Sequence, residues 1–188
     1  KPRRRSLRPH SEVRCPVQVR NRYEECIGVP KFEIREANEG DVDLIGSLIA
    51  ESVRGLAKGI YNEIQIELSI RSVFGVDHQL IADGTYFVAE SANEIIGCGG
   101  WSRRKTLYGA STYDRSREPE LLDPETDSAR IRAFFVHPSA ARQGLGRAIL
   151  ERCESEASAA GFRSAEMMAT LPGVPLYEAC GYMRGEYA

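Results

Sequence analysis

Apolar and polar positions recur along this chain with enough regularity to lay out most of a domain. "KFEIREA" (31–37) alternates, with Phe32 and Ile34 on one face, and predicts a first strand. In "EGDVDLIGSLIAESVRGL" the apolar positions Ile45, Leu48, Ile49, Val53 and Leu56 follow helical spacing, with Asp41 as the N-cap. "YNEIQIELSIRSVFG" predicts a second helix ending near Gly75. Asn62 and Gln65 stand at capping-box spacing, and Ile64, Leu68, Ile70 and Phe74 supply its apolar positions. Two strand-like runs, 85–91 and 94–102, flank a tight polar turn and predict a hairpin. "SARIRAFFVHP" predicts a strand stopped by Pro138. "GLGRAILERCESEASAAGF" predicts a helix with Leu145, Ile149, Cys153 and Ala157 inward and Gly161 as its stop. "SAEMMATL" predicts a strand, and "GVPLYEACGY" a short helix ending at Gly181. The order β-α-α-β-β-β-α-β-α predicts one mixed α/β domain with a strand-loop-helix crossover near its end.

Two stretches fall outside this pattern. Residues 103–127 read as a long polar loop containing Pro119 and Pro124, a length that often carries function in a compact domain. Residues 1–31 are rich in Arg and Pro without periodicity, and a mostly disordered basic tail is expected there, ahead of a domain over 32–188. Charge sharpens that division. Residues 1–30 hold eight basic side chains (Lys1, Arg3, Arg4, Arg5, Arg8, Arg14, Arg20, Arg22) against Glu12, Glu24 and Glu25, a net +5. The whole chain carries −2, so the remaining 158 residues carry −7. An acidic body argues against nucleic acid as the main partner. For the tail, a targeting segment and phosphate contacts compete with no function at all, the reading preferred here.

The rest of the composition is that of an ordinary globular protein of 188 residues, 42% hydrophobic and 28% charged. Cys15, Cys26, Cys98, Cys153 and Cys180 show no CxxC spacing, and the three histidines are scattered, so neither a disulfide framework nor a metal site is expected. Reduced thiols fit a cytoplasmic setting. No apolar run approaches the ~20 residues of a membrane span.

The chemistry concentrates where the strand ending in His137-Pro138 hands over to a helix through Arg142-Gln143-Gly144-Leu145-Gly146-Arg147. The first amides of a helix lack partners within it, and the macrodipole adds about half a positive charge there. Gly144 and Gly146 are expected to remove Cβ atoms that would hold a phosphate away, while Arg142 and Arg147 add cationic donors. A Walker A loop would need a lysine that is absent. A dinucleotide fingerprint would need a third glycine and an early strand. An anionic ligand of another kind is indicated.

"IRAFFVHPSAARQGLGRAILERCE", followed by "AAGF" and "EMMATLPGVPLYEACGY", resembles the GCN5-related N-acetyltransferase (GNAT) superfamily. The family's acetyl-CoA loop, [QR]-x-x-G-x-[GA], aligns with Ala141-Arg142-Gln143-Gly144-Leu145-Gly146. Ala141 replaces the usual Gln or Arg at a position that contributes mainly a backbone amide. Leu176-Tyr177-Glu178-Ala179-Cys180-Gly181-Tyr182 matches the family's "LYExxGF" signature. The resemblance implies a mostly antiparallel sheet with helices on both faces and with its fourth and fifth strands splayed apart. It implies acetyl-CoA as co-substrate, with the pantetheine arm along Phe134, Phe135 and Val136 and the pyrophosphate on the amides from Arg142 to Arg147. No metal is implied, and the implied activity is acetyl transfer to an amine of a small molecule or a protein. A non-catalytic CoA-binding regulatory domain and an acyltransferase using another donor are the alternatives.

The resemblance also gives Tyr177 the role of proton donor to the departing thiolate. From reference values of ~10 for a phenol and ~8.5 for a thiol, that transfer is expected to run downhill. A backbone N–H near Val136 is expected to polarise the thioester carbonyl. No general base is assigned: Glu166 is expected to be a surface charge, Asp127 is a candidate for a relay, and Thr170 stands where relatives often carry Asn. The family's sheet continues beyond Tyr182, where six residues remain here. The C-terminal strands are therefore expected to be truncated, and an unpaired edge on the fifth strand is expected to favour a homodimer.

Overall fold

The computed structural model describes residues 10–16, 32–105 and 120–184. In chain order the elements are strand β1 (His10–Pro16), β2 (Glu33–Glu36), helix α1 (Val42–Leu56), α2 (Glu63–Ser72), α3 (His78–Ala82), β3 (Tyr86–Ser91), β4 (Glu94–Ser102), β5 (Ala129–Val136), α4 (Leu145–Ala159), β6 (Ser164–Thr170), α5 (Val174–Ala179) and β7 (Met183–Arg184). The strands form one sheet in the order β2-β3-β4-β5-β6-β1-β7. Every described pairing is antiparallel except β5 with β6, which is parallel. Each predicted helix and strand from 32 to 179 is present.

The starts of the helices follow local chemistry. Asn38 caps a short 3-10 turn at Glu39–Asp41, with the Asp41 carboxylate reaching back to the Asn38 amide, and α1 continues from there. Asp41 stands at the predicted N-cap position of α1 but makes no side-chain cap there, the capping bonds being made one turn earlier with Asn38. Asn62 and Gln65 form the predicted capping box of α2. The hairpin turn is Ala92-Asn93, both residues at positive φ (50° and 66°), the geometry of a two-residue turn matched to strand twist.

One buried cluster lies between the sheet and α4 with α5, built from Phe87, Trp101, Ile131, Leu145, Ile149, Leu150, Met167 and Tyr177 among others. The second lies between the sheet and α1 to α3, around Ile45, Ile49, Leu80, Tyr86, Val88 and Cys98. Gly97 of β4 permits the close seat of α4: a Cβ there would stand 2.9 Å from Leu145 and 3.0 Å from Ile149. The predicted inward face of α4 is observed in full.

Three expectations need correction. Residues 10–16, expected to belong to a disordered tail, form β1 and pair along their whole length with β6. Alternation of the ladder can be satisfied by main-chain bonds alone, and the segment carries no turn residue before Pro16. The edge of β6 that was expected to lie open is therefore occupied by the chain's own strand, with β7 beyond it, and the reason for expecting self-association there disappears. On α2, Ile64 (73% exposed) and Leu68 (57%) face outward, and the inward positions are Ile66, Ile70 and Phe74. The helix packs along one side of α1 only, so one narrow stripe is covered.

Candidate functional site

β5 has two unlike edges. Toward β4 it pairs from Arg130 to Val136. Toward β6 it pairs at Ala129–Ala165, Arg130–Glu166 and Ile131–Met167, and beyond that point no pairing continues among the described residues. The break coincides with Ala133 at φ 55°, a left-handed conformation that costs an alanine ~1–2 kcal/mol. At the same place the β4–β5 register shifts, so that one extra residue of β5 bulges out. Past the bulge, Phe134 and Val136 turn toward α4 and α5, and Phe135 toward α1 and α2. The Phe135 ring meets Phe74 edge-on at 5.6 Å between centroids.

The mouth of this gap is the loop leading into α4. Arg142 has φ 64° and Gly144, the N-cap of α4, has φ 86°, a conformation that favours glycine. Gly144 offers no side-chain cap, the first turn of α4 carries no acid, and no atom lies within 4 Å of where a Gly144 Cβ would be. The first hydrogen bond inside the helix is Ala148 N–H to the Gly144 carbonyl. Three successive amides, Leu145, Gly146 and Arg147, thus open a 15-residue helix without a capping partner. That is the geometry of an anion cradle.

The other loop residues divide by role. Arg142 is exposed, with no ion pair among the described residues. Arg147 donates to the Ala179 carbonyl at 3.2 Å, which fastens the first turn of α4 to the end of α5. The Gln143 amide donates to the Ser139 carbonyl at 2.7 Å and holds the loop's own shape. The Leu145 side chain is core. Gly146 does not serve ligand clearance as expected: a Cβ there would point at Leu176, 3.0 Å away. The loop and the "LYEACGY" segment, thirty residues apart in sequence, are therefore in direct contact.

Tyr177 lies beside them. Its ring packs edge-on against Phe134 (6.2 Å) and Tyr182 (6.0 Å), and its hydroxyl has no hydrogen-bond partner among the described residues. Burial, reinforced by the neighbouring thiols of Cys153 and Cys180, raises its pKa above that of a free phenol. The proton transfer expected to run downhill does not do so. Even unperturbed, a phenol of pKa ~10 is the weaker acid against a thiol of ~8.5, an uphill step of about 2 kcal/mol. Burial adds to it, so any donation to a leaving thiolate would have to accompany cleavage of the bond to sulfur rather than follow from acidity.

Other expected residues are displaced from the chemistry. Glu166 is not a surface charge: it is 3% exposed and ion-paired with Arg130 across the parallel register. Asp127 accepts from the Asp123 amide at 2.8 Å. The loop 103–127 closes on itself at its base, where Lys105 N–H bonds the Glu120 carbonyl and Leu122 N–H the Arg103 carbonyl. Tyr108 and, of that loop's charged residues, Asp114, Arg115, Arg117 and Glu118 lie outside the described residues, whereas Trp101, before it, is core.

Sequence reading missed the wall that α1 supplies. Val136 N–H, expected to face a carbonyl, donates to the Ser52 hydroxyl at 3.2 Å. Gly55, one turn on, has the Pro138 ring where its Cβ would be, 2.2 Å from it. His137 Nε2 meets Glu51 at 3.0 Å, and its Nδ1 accepts from the Ser139 amide at 3.2 Å. The signal was present as Ser52 and Gly55, small residues three apart on the side of α1 that meets Val136 and Pro138.

A splayed parallel pair facing an uncapped helix start gives an α/β protein a gap whose shape and dipole suit an anionic, extended ligand. Comparison with known proteins places it: the model of the acetyltransferase (GNAT) domain matches residues 82–184, and the chain belongs to that family. No curated protein matches it in sequence. Among solved structures it is similar to a GCN5-related N-acetyltransferase from Ralstonia eutropha JMP134 (20% identity, 84% of this chain and 95% of that one, TM-score 0.56). It is also similar to the PaiA N-acetyltransferase from Thermoplasma acidophilum in complex with coenzyme A (16%, 84% and 92%, 0.58). A predicted acetyltransferase with acetyl-CoA from Clostridium acetobutylicum is a third (18%, 84% and 93%, 0.55). Among the described residues no group of ligands fit for a metal occurs, and no helix is long and apolar enough to cross a membrane.

Proposed function

We propose that this chain transfers an acetyl group from acetyl-CoA to a primary amine of a small molecule or protein, by direct attack within a ternary complex. The observation that carries the reading is the meeting of three features: the open amides of α4, the splay of β5 from β6, and the partnerless hydroxyl of Tyr177. Similar structures hold coenzyme A or acetyl-CoA and bear the name N-acetyltransferase, which supports the same donor and acceptor here.

Acetyl-CoA, when bound, supplies an activated thioester, so that attack by a neutral amine forms a C–N bond and releases a thiol. The amides of Leu145, Gly146 and Arg147 hold the pyrophosphate, with Arg142 as a cation at the rim. The edge of β5 at Phe134, Phe135 and Val136 holds the pantetheine arm. Tyr177 gives its proton to sulfur as the C–S bond breaks, and regains one from solvent as the amine sheds its own. No side chain is assigned as base. Burial of Tyr177 keeps the phenol protonated beyond the ordinary range, so the donor form persists at alkaline pH.

Calorimetric titration of acetyl-CoA tests the donor half. The parent chain should bind, and Gly144→Glu, which sets a carboxylate and a disfavoured φ in the cradle, should lose at least about 100-fold in affinity. Tyr177→Phe should keep that affinity while turnover with an accepted amine drops about 10²–10⁴-fold. Binding unaffected by Gly144→Glu would put the ligand elsewhere. Full turnover by Tyr177→Phe would remove the phenol from the mechanism.

A further inference from the structure

Ser52 is a buried hydroxyl that its own helix does not use. It lies on α1 and is 4% exposed. Ser47, on the same helix, returns its proton to the Asp43 carbonyl at 3.0 Å, and Ser69 and Ser72 of the next helix do the same to Ile66 and Leu68. Ser52 donates to nothing among the described residues and instead accepts the Val136 amide at 3.2 Å. Its lone pair is fixed by that bond, which leaves its O–H to point elsewhere.

The direction of the Val136 amide says where. In an antiparallel ladder successive N–H groups point to opposite sides. His137 N–H bonds Ile96 on the β4 side at 2.8 Å. Val136 N–H therefore points away from β4, toward β6. The last β5–β6 partner is Ile131, five residues earlier, so among the described residues this stretch of edge has no strand beside it. Ser52 thus places a hydroxyl on the open edge of β5, on the α1 side of the sheet, opposite the side that holds Tyr177.

We infer that Ser52 is a catalytic hydrogen-bond donor: its hydroxyl takes the Val136 amide as donor to itself and gives its own proton as a hydrogen bond to the acyl carbonyl oxygen of the bound thioester. The inference rests on the donor reading above. No bond to Ser52 forms or breaks, and no proton is transferred. A hydroxyl already polarised by an amide is a better donor than either group alone, because the two bonds reinforce each other. The amide becomes the second link in a donor chain instead of the direct partner of the carbonyl.

The two arrangements predict opposite results for Ser52→Ala. If the hydroxyl is the donor, its removal weakens carbonyl polarisation. If it merely occupies the amide, its removal frees that amide for the carbonyl. The measurement is isotope-edited infrared spectroscopy of acetyl-CoA carrying a ¹³C-labelled carbonyl, bound to each chain, which needs no acceptor amine. In the parent the carbonyl band should move to lower frequency than in free acetyl-CoA. In Ser52→Ala it should return most of the way, with the dissociation constant for CoA changed less than about threefold and with cooperative melting retained. Ser52→Thr, which keeps the hydroxyl, should restore the shift. With an accepted amine, loss of one such donor corresponds to a drop of about 10²–10³ in kcat. A band in Ser52→Ala as low as in the parent, or lower, overturns the assignment and returns the role to the Val136 amide. Failure of the parent chain itself to bind acetyl-CoA overturns the donor reading, and this one with it.

Discussion

The two edges of β5 differ in what they are built to do. The edge facing β4 is paired from Arg130 to Val136, backed by Gly97 under α4 and by the Phe134 ring over Gly99. The edge facing β6 is paired over three residues and then abandoned. An abandoned strand edge in a protein interior would leave main-chain donors without partners, at a cost of ~1–3 kcal/mol each. Here the bulge at Ala133, two residues past the last β6 partner, bends the strand while it stays paired with β4. A hydroxyl from α1 then meets one of the donors left over. The unpaired edge is the part of the sheet that the proposed function gives to the ligand, beside an otherwise saturated β3-β4-β5 ladder.

Disturbing the anchor of the parallel pair should have the largest effect. Glu166→Ala leaves Arg130 buried without its carboxylate, and urea unfolding should report a loss of about 3–5 kcal/mol. A loss under 1 kcal/mol would mean that the short parallel ladder does not depend on this pair. Overfilling the saturated side comes next. Gly97→Val drives new atoms into Leu145 and Ile149, and should cost about 1–3 kcal/mol on the same assay. It should also weaken acetyl-CoA binding by moving the start of α4.

A pH effect belongs to neither edge of β5 and serves as a control on both. Arg35, donating two bonds to Asp41, holds that carboxyl below the usual carboxylate range. A depressed folded-state pKa adds stability that is present above the unfolded value of ~3.9 and disappears as pH falls through the folded value. Asp41→Asn should therefore be less stable than the parent at pH 7, by about 1 kcal/mol because solvent reaches Arg35. The difference should shrink below about pH 4, and a gap that stays constant down to pH 2 would contradict it. The smallest effect is expected at the bulge. Ala133→Gly relieves a left-handed alanine, worth ~1–2 kcal/mol, against an entropy loss of ~0.5–1, for a net gain between about zero and 1.5 kcal/mol. Ala133→Val, β-branched at the same φ, should lose stability instead.

Much of this architecture was legible in advance. The periodicities of "DLIGSLIAESV" and "GLGRAILERCESEASA" report which side faces the sheet, because a helix that packs on a sheet must bury one stripe whatever the rest of the fold does. Asn62 with Gln65 is legible for the same reason, a cap being a bond between neighbours in sequence. The loop from Arg142 to Arg147 and Tyr177 could be singled out because glycine at positive φ and a fixed motif leave a local trace. The outward turn of Ile64 and Leu68 could not be read, since periodicity places apolar residues on a helix without saying which of them a partner will cover.

The sequence by itself determined four of the five described helices, the short α3 being missed, together with the hairpin, the crossover into α4 and the chemical type of the loop that opens it, all of them interactions within about twenty residues. Tertiary structure alone decided four things. It set β1 against β6, brought Leu176 and Ala179 to Gly146 and Arg147, buried Glu166 against Arg130, and laid Ser52 on the Val136 amide. Each joins segments between thirty and about one hundred and fifty residues apart. Pairing across such distances is chosen by which surfaces close the core together, a condition that no single segment records.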